Sequence, residues 1–197
     1  MTKRLFDLFF SFWGLLFLSP FFLLIGLLIK IDSKGSIFFI QKRVGRNNIN
    51  FQLVKFRTMR EDSERIRSLT IGEKDNRITK LGYYLRKYKL DELPQLYNVF
   101  IGDLSIVGPR PELSKYVDQY KIEYNAILTL RPGLTDISSI VFRNENRILS
   151  SIKEPEVFYI RNILPRKINY NIQYINNQSI CLDIYIIFKT LWVIFKK

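Results

Sequence analysis

From residue 8 to residue 29 the chain carries no charge and is dominated by Phe, Leu and Ile. No other stretch limits the fold as strongly. As a helix rising about 1.5 Å per residue it would cross a hydrocarbon layer about 30 Å thick. It is too long for the apolar core of a signal peptide, and no small-residue cleavage site precedes the next charges. Ser19-Pro20 stands at its middle. Proline there removes one helix hydrogen bond and frees the carbonyl of Leu16, and the Ser19 hydroxyl can offer itself to a carbonyl of the preceding turn. Lys3 and Arg4 precede the run, and Lys30, Lys34, Lys42 and Arg43 follow it. With both flanks basic, the positive-inside rule selects no orientation. Two readings follow from the residues: a helix-break-helix that enters and leaves by the cytoplasmic face, broken at Ser19 and Pro20, or a membrane-crossing helix kinked at Pro20.

The 197 residues suffice for one domain with its own core. We divide them into a membrane segment over 1–34 and a surface domain over 35–197. The formal net charge of +13 points to an anionic surface or a polyanionic partner. Histidine is absent and Cys181 is the lone cysteine. That rules out Ser-His and Cys-His nucleophile pairs and His- or Cys-rich zinc sites. A catalytic metal would take oxygen ligands, which points to Mg²⁺ or Mn²⁺. A general base would be Asp, Glu, Lys or Tyr. Cys181 reads as a small apolar packing residue.

After an exit turn over 31–35, β-branched and aromatic residues mark strands at 36–41 and 51–56, joined by a basic loop. Residues 61–69 read as a short polar helix and 70–77 as a loop. Ile78, Leu81 and Leu85 mark a helix that delivers Arg86 close to Asp91. Residues 104–107 form a short strand, 112–128 a helix, and 137–142 a strand-like run after the Arg131-Pro-Gly133 turn. Pro155 and Pro165 punctuate further helices. Residues 179–197 form a last helix, either packed on the domain or lying in the headgroup layer with Trp192 and the terminal lysines as anchors. The fold class is therefore α+β and mostly helical, with a small β-hairpin or sheet and amphipathic helices at a membrane surface.

The stretch Leu90-Asp-Glu-Leu-Pro-Gln-Leu96 places two adjacent carboxylates, Asp91 and Glu92, just before Pro94 and an apolar run. Leu93, Leu96, Tyr97 and Phe100 share one helix face, and Gly102 suits the stop. The pair would sit at a helix N-terminus, where unpaired N–H groups favour carboxylates and phosphates. By themselves they read equally well as a cap with a first-turn acid. Gly108-Pro-Arg-Pro111 shifts the balance, because the bracketing Pro109 and Pro111 hold the Arg110 guanidinium in a nearly fixed place, which suits bidentate phosphate recognition. Lys55 and Arg57, two residues apart, would share one face of a strand.

Residues 90–111 resemble the signature of the bacterial sugar transferases that move a phospho-sugar from a nucleotide sugar to polyprenyl phosphate. The likeness extends through Phe39-Ile-Gln-Lys-Arg-Val-Gly45, Lys55-Phe-Arg-Thr-Met59 and Arg131-Pro-Gly-Leu-Thr135, four motifs in the family's order. The resemblance favours the re-entrant, monotopic reading of the apolar run and places the protein at the cytoplasmic face of the bacterial inner membrane. It implies transfer of a phospho-sugar from a UDP-sugar to polyprenyl (undecaprenyl) phosphate, releasing UMP, as the first membrane step of a capsule, O-antigen, exopolysaccharide or glycoprotein glycan. It implies a two-step course through an aspartyl-phospho-sugar on Asp91, with Glu92 helping to hold Mg²⁺ or to orient a phosphate. Arg110 would grip the nucleotide or its phosphate, and Lys55, Arg57, Arg86, Pro109, Pro111 and Arg131 would complete the substrate site. Other glycan-assembly enzymes are candidate partners.

One departure stands out: many relatives read Thr-Gly-Leu-Ala-Gln where this chain reads Thr135-Asp-Ile-Ser-Ser139. Aspartate reaches φ > 0 less readily than glycine, so the pocket there would differ in shape. Two other readings compete with the transferase. A membrane-tethered nucleic-acid binder would use the basic charge, but the cations are dispersed and no nucleic-acid motif is visible. An inactive scaffold for glycan assembly conflicts with intact Asp91, Glu92 and Arg110.

Overall fold

Helix α1 (Thr2–Asp32) opens the chain in the computed structural model, which describes residues 2–60 and 75–196. The helix expected over 61–69, and most of the loop after it, lie outside the described residues. α1 is long and apolar enough to cross a membrane. It does not divide at Ser19-Pro20; the helix continues through both residues. The reason is local. The Ser19 hydroxyl donates to the Leu16 carbonyl at 2.8 Å, satisfying the acceptor that Pro20 deprives of its N–H.

Both ends of α1 rest on the same domain. At the N-terminal end, Arg4 donates to the Val99 and Phe100 carbonyls at 2.6 and 2.8 Å. Asp7 accepts from the Ser105 hydroxyl at 3.1 Å and the Ile106 N–H at 2.9 Å, and Lys3 pairs with Asp183. At the other end Ile25 and Ile29 pack with Phe56 and Leu85. Between these attachments a broad apolar face is left open.

Strands β1 (Phe38–Val44) and β2 (Asn50–Phe56) form the expected hairpin, antiparallel from Phe38↔Phe56 to Val44↔Asn50. Helix α2 (Lys80–Lys87) follows, its N-cap Thr79 accepting from the Gly82 N–H at 3.0 Å. Lys89 then takes the left-handed conformation (φ 57°) and ends it. Asp91 and Glu92 lie in a separate one-turn 3-10 helix, Leu90–Glu92, one turn ahead of helix α3 (Gln95–Ile101) rather than within its first turn. Gly102 (φ 101°) ends α3, as its position suggests.

The face of α3 that enters the domain is not the apolar one. Gln95, Asn98 and Val99 are buried, whereas Tyr97 and Phe100 are exposed. Leu96 meets α1 at Gly14, and Phe100 faces Phe12 with ring centroids 6.3 Å apart. An apolar stripe signals burial in whatever lies beside it, and here its neighbour is the N-terminal helix.

Strand β3 (Ser105–Val107) pairs in parallel with β4 (Gly133–Thr135), in register Ser105↔Gly133 and Val107↔Thr135. Their ends approach so closely that a Cβ on Gly133 would lie 2.1 Å from the Gly108 nitrogen, so only glycine fits. The single helix expected over 112–128 is instead α4 (Ser114–Val117), a 3-10 turn and α5 (Lys121–Ile127). The strand-like run at 137–142 is a helix, α6 (Ile137–Val141), because Asp136 caps it by accepting from the Ser139 N–H at 3.0 Å. Asp136 has an extended backbone (φ −156°), so it needs no glycine conformation there.

Helices α7 (Glu145–Ser150), α8 (Pro155–Phe158), α9 (Leu164–Asn176) and α10 (Ile180–Phe195) complete the chain, with a π-helical turn, Tyr159–Ile163, leading into α9. The main core gathers Val44, Tyr116, Tyr124, Ile127, Leu149, Tyr159, Leu164 and Ile168. α10 combines features of both readings made for it. Ile186 is buried and Thr190 bonds Thr135 at 2.7 Å, while Phe188, Trp192 and Phe195 are exposed. Cys181 is exposed as well, not packed in the core as expected, because it falls on the outward side of the first turn of α10.

Candidate active site

Three separate pieces of backbone bring ionisable side chains together: the end of β2, the 3-10 turn Leu90–Glu92, and the loop after β3. Lys55 Nζ donates to Glu92 Oε1 at 2.8 Å. Arg110 forks the same carboxylate, with Nη2 on Oε1 and Nη1 on Oε2, the latter at 3.3 Å. Arg86, from α2, donates to Thr58 Oγ1 at 2.8 Å, and its charge favours ionised Asp91. The loop geometry comes from backbone bonds: Gly108 N–H donates to Thr135 O at 3.1 Å, and Gly133 N–H to Pro109 O at 2.8 Å.

Adjacent in sequence, Asp91 and Glu92 occupy opposite electrostatic conditions. Burial pushes the Asp91 carboxyl up from its ordinary value and the charge of Glu92 adds to the push, against Lys55, Lys89 and Arg86. Burial also opposes the charge on Glu92, but Arg110 and Lys55 overcome it and hold that carboxyl well below its ordinary value. Glu92 in turn raises the Arg110 guanidinium, while burial lowers the Lys55 ammonium. Asp91 is buried, and its Oδ1 has no hydrogen-bond partner. The cluster thus holds one neutralised carboxylate and one carboxylate oxygen left available. Lys55, Lys89, Arg86 and Arg110 outnumber the two acids, so an arriving anion such as a phosphoryl group would find net positive charge.

Among the described residues no three Asp, Glu, Cys or His side chains gather into a metal cage. A hard divalent cation often binds through one or two carboxylates plus substrate phosphates. The orphaned Asp91 oxygen fits that need better than Glu92, whose two oxygens are already taken by Arg110 and Lys55.

Not every expected residue joins this cluster. Arg57 is buried and donates through Nη2 to Ser33 O at 2.8 Å and Ser33 Oγ at 3.1 Å, fastening the exit of α1. Arg131 donates to the Gly102 carbonyl at 3.0 Å, at the end of α3. Pro111 presents its carbonyl to Arg43 at 3.1 Å. Other residues contribute that motif reading passes over. Asn98, buried on α3, accepts from Val54 N–H at 3.0 Å and donates to Gln52 O at 2.7 Å, locking the turn with Asp91 and Glu92 against β2. A polar residue two positions before the outward Phe100 was its only signal. Lys89 acts on both carboxylates from a strained backbone position.

Residues 1–197 match the bacterial sugar transferase family. Among curated relatives, the chain is 36% identical over 176 residues to a UDP-N-acetylgalactosamine-undecaprenyl-phosphate N-acetylgalactosaminephosphotransferase of Aeromonas hydrophila, covering 88% of this chain and 38% of the relative. It is 35% identical over 206 residues to the exopolysaccharide production protein ExoY of Sinorhizobium fredii, covering 97% of this chain and 84% of the relative. It is 34% identical over 194 residues to a UDP-glucose:undecaprenyl-phosphate glucose-1-phosphate transferase of Klebsiella pneumoniae, covering 96% and 39%. The chain thus spans well under half of two of these relatives and most of the third. The match along the whole chain, with the motif residues Lys55, Asp91, Glu92 and Arg110 gathered in one cluster, makes this protein a member of the bacterial sugar transferase family.

Proposed function

We propose that this protein transfers a sugar-1-phosphate from a UDP-sugar to polyprenyl phosphate at the cytoplasmic face of the membrane, as the first membrane-bound step of glycan synthesis. The observation that carries the reading is the Asp91–Glu92 pair: one carboxylate is neutralised by Arg110 and Lys55, and the other keeps an oxygen without a hydrogen-bond partner among surrounding cations. A carboxylate is a competent nucleophile at phosphorus. In the first step Asp91 Oδ1 bonds to the sugar-bearing phosphorus while the bond to the UMP oxygen breaks, and the electron pair leaves with UMP. In the second, an oxygen of polyprenyl phosphate attacks the same phosphorus and Asp91 leaves as a carboxylate. Arg110, held by its proline bracket and Glu92, supports the negative charge that builds on the phosphoryl oxygens, and Lys55 and Arg86 add to it. Mg²⁺ held by the Asp91 carboxylate together with the donor diphosphate would supply charge neutralisation there.

A reaction between a soluble nucleotide and a lipid needs a site at the membrane surface. The two ends of α1 rest on one domain, which supports a re-entrant helix with both ends on the cytoplasmic side. Its exposed apolar face supports insertion. Cysteine-accessibility labelling at positions 2 and 34 in intact cells tests this; reagent reaching only one position from outside would establish a crossing helix instead. For the chemistry, donor labelled in the sugar is supplied without lipid acceptor. Label recovered on the Asp91 peptide by mass spectrometry is the expected result. UMP release that requires the acceptor, with no peptide ever labelled, would indicate direct attack by polyprenyl phosphate.

A further inference from the structure

Behind Arg110 lies a second set of buried charges that the phosphoryl chemistry does not use. Arg43, on β1, directs Nη1 to the Pro111 carbonyl at 3.1 Å, while its Nε and Nη2 hold Gln41 Oε1 at 3.0 and 2.7 Å. The same guanidinium stands 3.5 Å from Glu112 Oε2. Glu112 Oε1 accepts from the Tyr159 hydroxyl at 2.7 Å. That hydroxyl accepts in turn from Lys167 at 3.4 Å, and Lys167 pairs with Glu145 at 2.6 Å. Polar contacts thus run without a gap from α9 to the carbonyl next to Arg110, with the Glu112 carboxylate facing a donor on each side. Glu112, Tyr159 and Lys167 are all buried.

Such a line is a poor device for stability, because removing charges from water costs about as much as pairing them returns. Its placement suggests another purpose. Arg43 and Arg110 are neighbouring, partly buried cations, and the charge of Glu92 favours ionised Arg43 as well as Arg110. Glu112 neutralises Arg43, and its backbone carbonyl also accepts from Val44 N–H at 3.0 Å, so the acid is fixed at both chain and side chain. Without the carboxylate charge of Glu112, Arg43 would stand uncompensated beside Arg110 and would draw on the charge of Glu92 instead.

We propose that Glu112 is a positioning residue: by occupying Arg43 it reserves Glu92 for Arg110 and Lys55 and fixes the Pro109–Pro111 bracket, so that Arg110 meets the donor phosphate in one geometry. Tyr159 and Lys167 hold Glu112 in turn. This inference rests on the phosphoryl-transfer reading above. The test is a double-mutant cycle on UMP release from a UDP-sugar by the full-length protein in detergent, with kcat and donor KM determined separately. Glu112→Gln keeps shape and the hydrogen bond from Tyr159 but removes the charge. It should lower kcat/KM about ten- to thirtyfold, yet only about two- to threefold further when Arg110 is already lysine. Tyr159→Phe, a milder change that keeps the ring, should show a smaller loss with the same non-additivity. Full, multiplicative losses in the double variants would mean a merely structural role and overturn the inference, as would unaltered kinetics in Glu112→Gln. Wild-type protein that releases no UMP from UDP-sugars would instead overturn the functional reading, and this inference with it.

Discussion

The carboxylate cluster and helix α1 invert the ordinary arrangement of a folded chain in opposite ways. Around Glu92 the domain buries charge: Lys55, Arg110 and two acids are packed where apolar side chains would cost less. Along α1 it exposes apolar surface, with Phe17 and Leu23 at 72% and 77% accessible. Each inversion marks a missing partner of definite chemistry. Surplus cations around a buried acid pair suit an anionic phosphoryl group, and a bare apolar helix face suits hydrocarbon. The two regions also differ in how they are held. Glu92 has several partners on one carboxylate, whereas α1 is fastened by a few polar contacts near its ends and by Ile25 and Ile29.

The sharpest way to break the comparison is within the acid pair itself. Asp91→Asn should reduce UMP release on the order of a thousandfold or more, because the amide cannot serve as the nucleophile. Its thermal stability, measured in EDTA, should be unchanged or higher. Burial raises this carboxyl, so the folded state disfavours the charge that the substitution removes. Glu92→Gln should have the opposite sign on stability. The folded state holds this carboxyl well below its ordinary value, so at neutral pH its charge stabilises. Leaving Lys55 and Arg110 without their anion should cost about 3 kcal/mol and lower the melting temperature. Equal melting shifts for the two variants would refute the division of labour drawn here.

Arg110→Lys keeps the charge and loses the planar fork on Glu92. Activity should fall about ten- to thirtyfold with little change in folding, read from steady-state kinetics beside circular dichroism. Wild-type turnover in this variant would mean that the proline bracket serves another purpose. The smallest effect is expected at the other region. Asp7→Ala removes the acceptor for the Ser105 hydroxyl and the Ile106 N–H. It should cost about 1–2 kcal/mol and speed hydrogen exchange at Ile106, with the site chemistry intact. A loss of activity as large as that of Glu92→Gln would show that the attachment of α1 and the cluster act as one unit.

Much of this was legible in the residues. An uncharged run over 8–29 has few alternatives to a long apolar helix, and the pairing of Ser19 with the carbonyl freed by Pro20 follows from helix geometry alone. The hairpin and the stop at Gly102 also followed from short-range pattern, whereas the gathering of Lys55, Arg110 and the acid pair was implied only by the family resemblance. What misled were local signals whose meaning depends on a neighbour. Ile137, Ile140 and Val141 suggest a strand, but the Asp136 cap makes a helix. The apolar stripe on α3 faces α1, while Gln95 and Asn98 turn inward.

Composition and helical period act over a few residues, and they are enough to settle the long apolar helix, the absence of histidine chemistry and the acids and cations available for phosphoryl transfer. The tertiary structure alone decided how those groups are divided. Asp91 and Glu92 differ by one position and share one turn, yet Arg110 and Lys55 arrive only at Glu92, from segments 18 and 37 residues away in the chain. Which of two neighbouring carboxylates stays neutralised and which keeps a free oxygen is therefore set by long-range packing, since the charges that separate them are brought in by a strand and a loop that the local sequence does not contain.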